Sequence, residues 1–116
     1  MVWKVVEFDA EPMESEELVA WLGRLLAREG VRVVQARETD WGLELVVQLG
    51  HRRTLLGVGR LEGSRRTYRA FTRPPQILDY LLGYHRISLR AEVLKRLERG
   101  LARDPGASGV RWVELG

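Results

Sequence analysis

The middle of the chain limits the fold more than any other part, because it holds four short β-patterned segments separated by tight turns. Residues 31–38 and 54–61 are rich in Val and Leu, residues 43–49 alternate apolar with more polar side chains, and residues 65–72 form the last segment. Alternation indicates a strand with one buried face. Connections of a few residues favour antiparallel neighbours. The sequence therefore predicts an antiparallel meander.

Patterns on both sides of the meander supply helices and two more strands. Strands are predicted over 2–8 and 110–115, and helices over 14–29, 76–82 and 89–103, with Ser15 and Ser88 as N-caps. The simplest packing is an α+β two-layer sandwich of order β-α-β-β-β-β-α-α-β. It has five to six mainly antiparallel strands with the helices on one face. The first and last strands, which helices join to the meander, can lie parallel to a neighbour.

Length and composition narrow the class of protein. A chain of 116 residues without an evident linker fits one α+β domain over residues 1–116. The absence of Cys excludes disulfides and Cys-based metal sites. There is no apolar run of the ~20 residues that span a bilayer, and the start shows no secretion signal. We therefore expect a cytoplasmic protein without membrane contact.

Basic residues are concentrated in one part of the chain. The net charge is +3, but residues 1–50 carry −5 and residues 51–116 carry +8. Within residues 51–73 there are seven Arg and a single acid, Glu62. The chain has 17 Arg, two Lys and no Asn, a composition typical of GC-rich or thermophilic sources. Such a bias would spread Arg evenly, so the clustering is the more informative feature.

This cluster predicts a non-catalytic binding or regulatory domain that contacts an anionic partner, either an acidic protein surface or nucleic acid. The residues expected to make the contact are Arg52, Arg53, Arg65, Arg66, Tyr68 and Arg69. A structural alternative is that the Arg stems cover an exposed sheet face and pair with acids such as Glu16 and Glu17.

Nucleic-acid binding through an Arg/Tyr sheet face is the second hypothesis. Residues 66–71 combine Arg with Tyr68 and Phe71, and they distantly resemble the aromatic strand of RNA-recognition domains. Arg would contact phosphates and an aromatic ring would stack on bases. Alternation places Tyr68 and Phe71 on opposite faces, so one of the two rings is expected in the core.

The four Trp residues suggest a protein partner. Trp3, Trp21 and Trp112 fall on predicted buried faces, whereas Trp41 lies in a turn and is expected to be exposed. An exposed turn Trp is a candidate interface anchor, and the structural alternative is that its ring covers the end of the sheet. A homodimer through sheet edges, or through the acidic half of one copy and the basic half of another, is a further possibility.

Residues suited to catalysis are few. His51 and His85 have no second His nearby in sequence, so neither predicts a metal site. Asp40 and Glu44 flank a turn and can approach each other, but acid–base catalysis would also require a cleft. We expect no cofactor and no metal.

One hairpin resembles a known family. Residues 41–47, followed by residues 50–59, are similar to the hairpin of restriction-endonuclease-like nucleases, and that family's core order α-β-β-β-α-β fits within the predicted order. The family binds magnesium through an Asp on the first strand and a Glu-x-Lys on the second. Here Glu44 falls near the Asp position, and Gly57 and Gly59 replace the Glu and the Lys. The resemblance therefore implies an inactive binder on a degenerate nuclease-like fold.

Overall fold

The computed structural model describes residues 3–72, residue 81 and residues 87–115. Its elements are β1 (Trp3–Asp9), α1 (Ser15–Arg28), β2 (Val31–Thr39), β3 (Gly42–Leu49), β4 (Arg52–Arg60), β5 (Thr67–Phe71), α2 (Ile87–Arg103) and β6 (Ser108–Leu115). This order confirms the predicted α+β architecture. The short helix predicted over residues 76–82 lies outside the described residues, together with Arg73 and His85.

The six strands form one open sheet in the order β2-β3-β4-β5-β1-β6, and every neighbouring pair is antiparallel. The first and last strands, which the sequence allowed to lie parallel to a neighbour, are therefore antiparallel as well. The reason is the strand order. Each helix joins two strands that run in the same direction, β1 to β2 and β5 to β6, but other strands lie between the two members of each pair.

Both helices pack on the same face of the sheet and contact each other there. Their buried residues are Leu18, Leu22, Leu25 and Leu26 on α1, and Leu89, Val93, Leu94, Leu97 and Leu101 on α2. These side chains meet alternate strand residues such as Val6, Phe8, Leu45, Leu56 and Val58. A fully buried Leu or Phe contributes about 1.5–3 kcal/mol, so this interface supplies most of the hydrophobic stabilisation. Within the described part of the chain, neither helix is long and apolar enough to cross a bilayer.

The helix starts differ slightly from the prediction. Ser15 is the first residue of α1 rather than its N-cap, and Glu14 occupies the cap position without a side-chain hydrogen bond. Glu16 and Glu17 lie in the first turn, where the helix dipole favours acids. Helix α2 begins at Ile87, so Ser88 lies inside the helix and is not its N-cap.

The Trp residues divide between core and surface. Trp41 is 45% exposed, as its turn position predicts. Trp21 is half-buried against the core, and its Nε1 donates a hydrogen bond to Asp104 Oδ1 at 3.2 Å. Trp112 is 41% exposed, so its predicted burial is wrong. It lies on the edge strand β6, where no further strand of the described residues covers it. The side chain of Trp3 is outside what the structure describes.

Gly57 and Gly59 leave room for the Trp41 ring to pack on the sheet face opposite the helices. A Cβ atom at Gly57 would lie 2.6 Å from Phe71 Cζ and 3.0 Å from Trp41 Cη2. A Cβ at Gly59 would lie 2.8 Å from the Trp41 carbonyl oxygen. The Trp41 and Phe71 ring centroids are 5.2 Å apart. The interior glycines therefore permit close approach of the turn to the sheet.

We expect Gly57→Ala to destabilise the fold by about 1–3 kcal/mol, because the added methyl group forces both rings to move. Urea unfolding followed by circular dichroism measures the change. Gly23→Ala is the matched control, since nothing lies within 4 Å of a Cβ there and alanine is favoured over glycine in a helix by roughly 0.5–1 kcal/mol. Equal stability of the Gly57 variant and the unsubstituted protein would show that the Trp41 and Phe71 rings are not tightly packed over Gly57.

Candidate functional site

The described part of the predicted basic region, residues 51–72, does not bring its arginines together at one place. Arg52 begins strand β4 and Arg60 ends it, so the two lie about 26 Å apart at the usual rise of a strand. Arg65 and Arg66 follow in the turn to β5, at the Arg60 end of the sheet. The sequence cluster is therefore split between opposite ends of the β4–β5 hairpin.

Three of the predicted arginines are bound within their own chain. Arg53 Nε donates to Gln48 Oε1 at 3.0 Å, and Arg66 forms an ion pair with Glu11 at 3.2 Å. Arg69 donates from Nε and Nη2 to Glu7 Oε2 at 3.0 and 2.5 Å. Among the described residues, the guanidinium groups of Arg52 and Arg65 form no ion pair. The acids that form ion pairs with Arg66 and Arg69 are Glu11 and Glu7. The structural alternative had expected Glu16 and Glu17 in this role.

Tyr68 cannot stack on a nucleic-acid base, contrary to its predicted role, because it is 2% exposed and lies in the core. Its ring stacks on Phe8 with centroids 5.5 Å apart. Phe71 lies on the other face, as the alternation predicts. The Tyr68 hydroxyl accepts hydrogen bonds from the Met13 backbone N–H at 3.2 Å and from Arg60 Nη2 at 3.4 Å. Tyr68 therefore positions other groups and does not contact a partner through its ring.

The Tyr68 hydroxyl lies at a groove of about 340 Å³ between the start of α1, the β2–β3 turn and the end of β4. Met13, Leu18, Leu43 and Val58 form its apolar lining. Arg60 is the cation of the groove, with its guanidinium carbon 5.6 Å from the Tyr68 ring centroid. No carboxylate of the described residues forms an ion pair with Arg60. The guanidinium therefore lies over the Tyr68 ring, and most of its N–H donors have no partner among the described residues.

Arg60 was not among the residues predicted from the sequence to contact a partner. Its position on β4 is opposite Tyr68 on β5, and residues opposite each other on neighbouring strands share a face. The signal was therefore present in the alternation of Leu56, Val58 and Arg60. Recognising it requires the β4–β5 register, which a six-residue connection does not determine.

Two acids at the groove limit what it can bind. Glu38 and Asp40 lie on its β2–β3 side, and both are exposed. A cation and two carboxylates therefore share one groove without forming an ion pair with one another. The groove combines a fixed donor group, an apolar lining and an acidic rim.

The residues considered for catalysis are not brought together. Glu44 lies on the sheet face opposite the helices, where Arg37 Nη2 donates to its Oε1 at 2.7 Å. Asp40 lines the groove, whereas His51 lies in the turn at the far end of β4. In the described ranges, no three His, Asp or Glu residues are grouped in a way that would hold a metal ion.

The positions at which the nuclease hairpin would carry its Glu and its Lys, Gly57 and Gly59, bear no charge. Glu44 is opposite Gly57 in the β3–β4 register, and the Trp41 and Phe71 rings contact the space above Gly57. Apolar rings thus occupy the surface on which the family would present its metal-binding groups. Comparison of the chain with protein-family models, with curated proteins and with solved structures finds no match.

Proposed function

We propose that this chain is a non-catalytic binding domain that holds a carboxylate-bearing segment of a partner protein in the groove at Arg60. One observation carries the proposal: Arg60 is fixed over Tyr68 and has no carboxylate partner among the described residues. A guanidinium has five N–H donors in a fork that fits a carboxylate. Among the described residues, only one hydrogen bond uses them, to the Tyr68 hydroxyl at 3.4 Å. The cytoplasmic location expected from the sequence is part of this proposal.

The rest of the groove favours a protein segment over a nucleic acid. Met13 lines the groove and is partly exposed, and its flexible thioether side chain suits contact with an apolar side chain next to the bound carboxylate. Glu38 and Asp40 would repel the closely spaced phosphates of a nucleic acid, whereas an isolated carboxylate can avoid them. Arg65, at the same end of the sheet, adds attraction over roughly one Debye length, about 8–10 Å.

The test compares two probes by fluorescence anisotropy: a labelled peptide of alternating Glu and Leu, and a labelled single-stranded oligothymidylate. We expect the peptide to bind and Arg60→Ala to weaken it by about tenfold or more, since a hydrogen bond to a charged group contributes about 1.5–3 kcal/mol. Arg52→Ala is the matched control. It removes the same charge from an exposed position at the other end of β4, and the peptide affinity should stay nearly unchanged.

Two results would contradict this proposal. Equal weakening by Arg52→Ala and Arg60→Ala would indicate non-specific attraction to a basic protein. Stronger binding of oligothymidylate, with a steep loss of affinity as salt is raised, would instead support the nucleic-acid hypothesis.

A further inference from the structure

Strand β6 is an edge strand of the sheet formed by the described residues. It pairs with β1 and with no other strand of the described residues. All eight of its residues are exposed or half-exposed. An edge strand presents a row of unpaired N–H and C=O groups that can bind another strand.

The opposite edge of the sheet, β2, is protected against such pairing. Its register with β3 is interrupted between Val33 and Gln35, and a bulge of this kind disturbs the ladder. Exposed charged side chains also line β2, among them Arg32 and Arg37. Charges and bulges are the usual ways in which an edge avoids another strand.

Strand β6 lacks this protection over its second half. Arg111 to Leu115 keep a regular register with Glu7 to Trp3 of β1. This run carries one positive and one negative side chain, and Trp112 stands near its middle with 41% of its surface exposed. A regular, electrically neutral edge with an exposed aromatic residue is complementary to another edge of the same kind.

We propose that two copies of this chain pair through β6 as antiparallel strands, with Trp112 of each copy opposite the other on a two-fold axis. A two-fold axis normal to the sheet keeps both helical layers on one side and places one residue opposite its own copy. With Trp112 on the axis, the two exposed rings cover each other. Arg111 then faces Val113 of the second copy, and Glu114 faces Val110. An axis at Arg111 would instead place two cations opposite each other.

The absence of Cys allows a direct test by cross-linking. Residues opposite each other across an antiparallel pair have Cβ atoms about 4.5–5.5 Å apart, near the reach of a disulfide at about 3.5–4.5 Å. Under mild oxidation, the double variant Val110→Cys/Glu114→Cys, which keeps Trp112 and places each new Cys opposite one of the second copy, should form a covalent dimer. Gln35→Cys, which is exposed on the protected edge β2, is the control and should stay monomeric.

Sedimentation of the unsubstituted protein provides the second measurement and does not depend on a substitution. We expect a species of twice 13.3 kDa as concentration rises. Trp112→Lys should abolish it and Gln35→Lys should not. A 13.3 kDa species at every concentration, or equal cross-linking of the two Cys variants, would overturn the proposal. Neither result bears on the Arg60 groove, which lies at a different part of the sheet.

Discussion

Replacing Phe8 by alanine is expected to lower the free energy of unfolding by about 3–5 kcal/mol. Phe8 is fully buried on β1, in the core that the helices cover. Its ring lies 5.5 Å from that of Tyr68 and 5.9 Å from that of Trp21, so it joins β1 to β5 and to α1. Because a domain of this size has about 5–15 kcal/mol of stability in total, the variant should lose a large fraction of it. Urea denaturation followed by circular dichroism measures the loss.

Phe8→Leu separates the packing of the ring from the burial of apolar surface. Leucine keeps most of the buried area but not the stacked ring, and swaps that roughly conserve volume usually cost less than about 1.5 kcal/mol. If the alanine variant loses no more than the leucine variant, the core around Phe8 relaxes to fill the cavity. In that case the three rings do not act as a single packed unit.

The sequence predicts the individual strands and helices well, but it does not predict the order of the strands in the sheet. The alternation in β3 and the helical stripe of α1 depend on near neighbours in the chain, so strands, helices and their buried faces followed from local pattern. The strand order does not depend on near neighbours. Strand β1 lies between β5 and β6, and only long-range packing decides that placement. The exposure of Trp112 follows directly from this order and was therefore missed.

The candidate site was harder to predict for the same reason. Clustering in sequence suggested one basic surface over residues 51–73, but a hairpin of long strands separates residues that are close in sequence. Arg52 and Arg65 thus lie at opposite ends of the sheet. Arg69 is held by Glu7, which is 62 residues away in the chain. The net charge of a segment indicates attraction to anions, but it does not show which guanidinium groups remain open.

Glu7→Val is expected to destabilise the protein by about 2–4 kcal/mol, because removing one member of a buried ion pair leaves the other uncompensated. Glu7 has a side chain only 8% exposed. It lies between Arg69 on β5 and Arg111 on β6, and it accepts hydrogen bonds from both. The partial exposure of the two arginines, 29% and 42%, keeps the expected loss below that of a fully buried pair. Urea unfolding at low salt measures the change.

The double variant Glu7→Val/Arg69→Val tests that reason. Valine suits a strand, and replacing both members of a buried pair by apolar residues is often nearly neutral. Arg111 keeps Asp9 as a partner at 3.6 Å, so the double variant leaves no cation without an acid. We therefore expect its stability to lie within about 1 kcal/mol of the unsubstituted protein. A double variant as unstable as Glu7→Val would show that the carboxylate stabilises β1 through its own contacts and not by compensating Arg69.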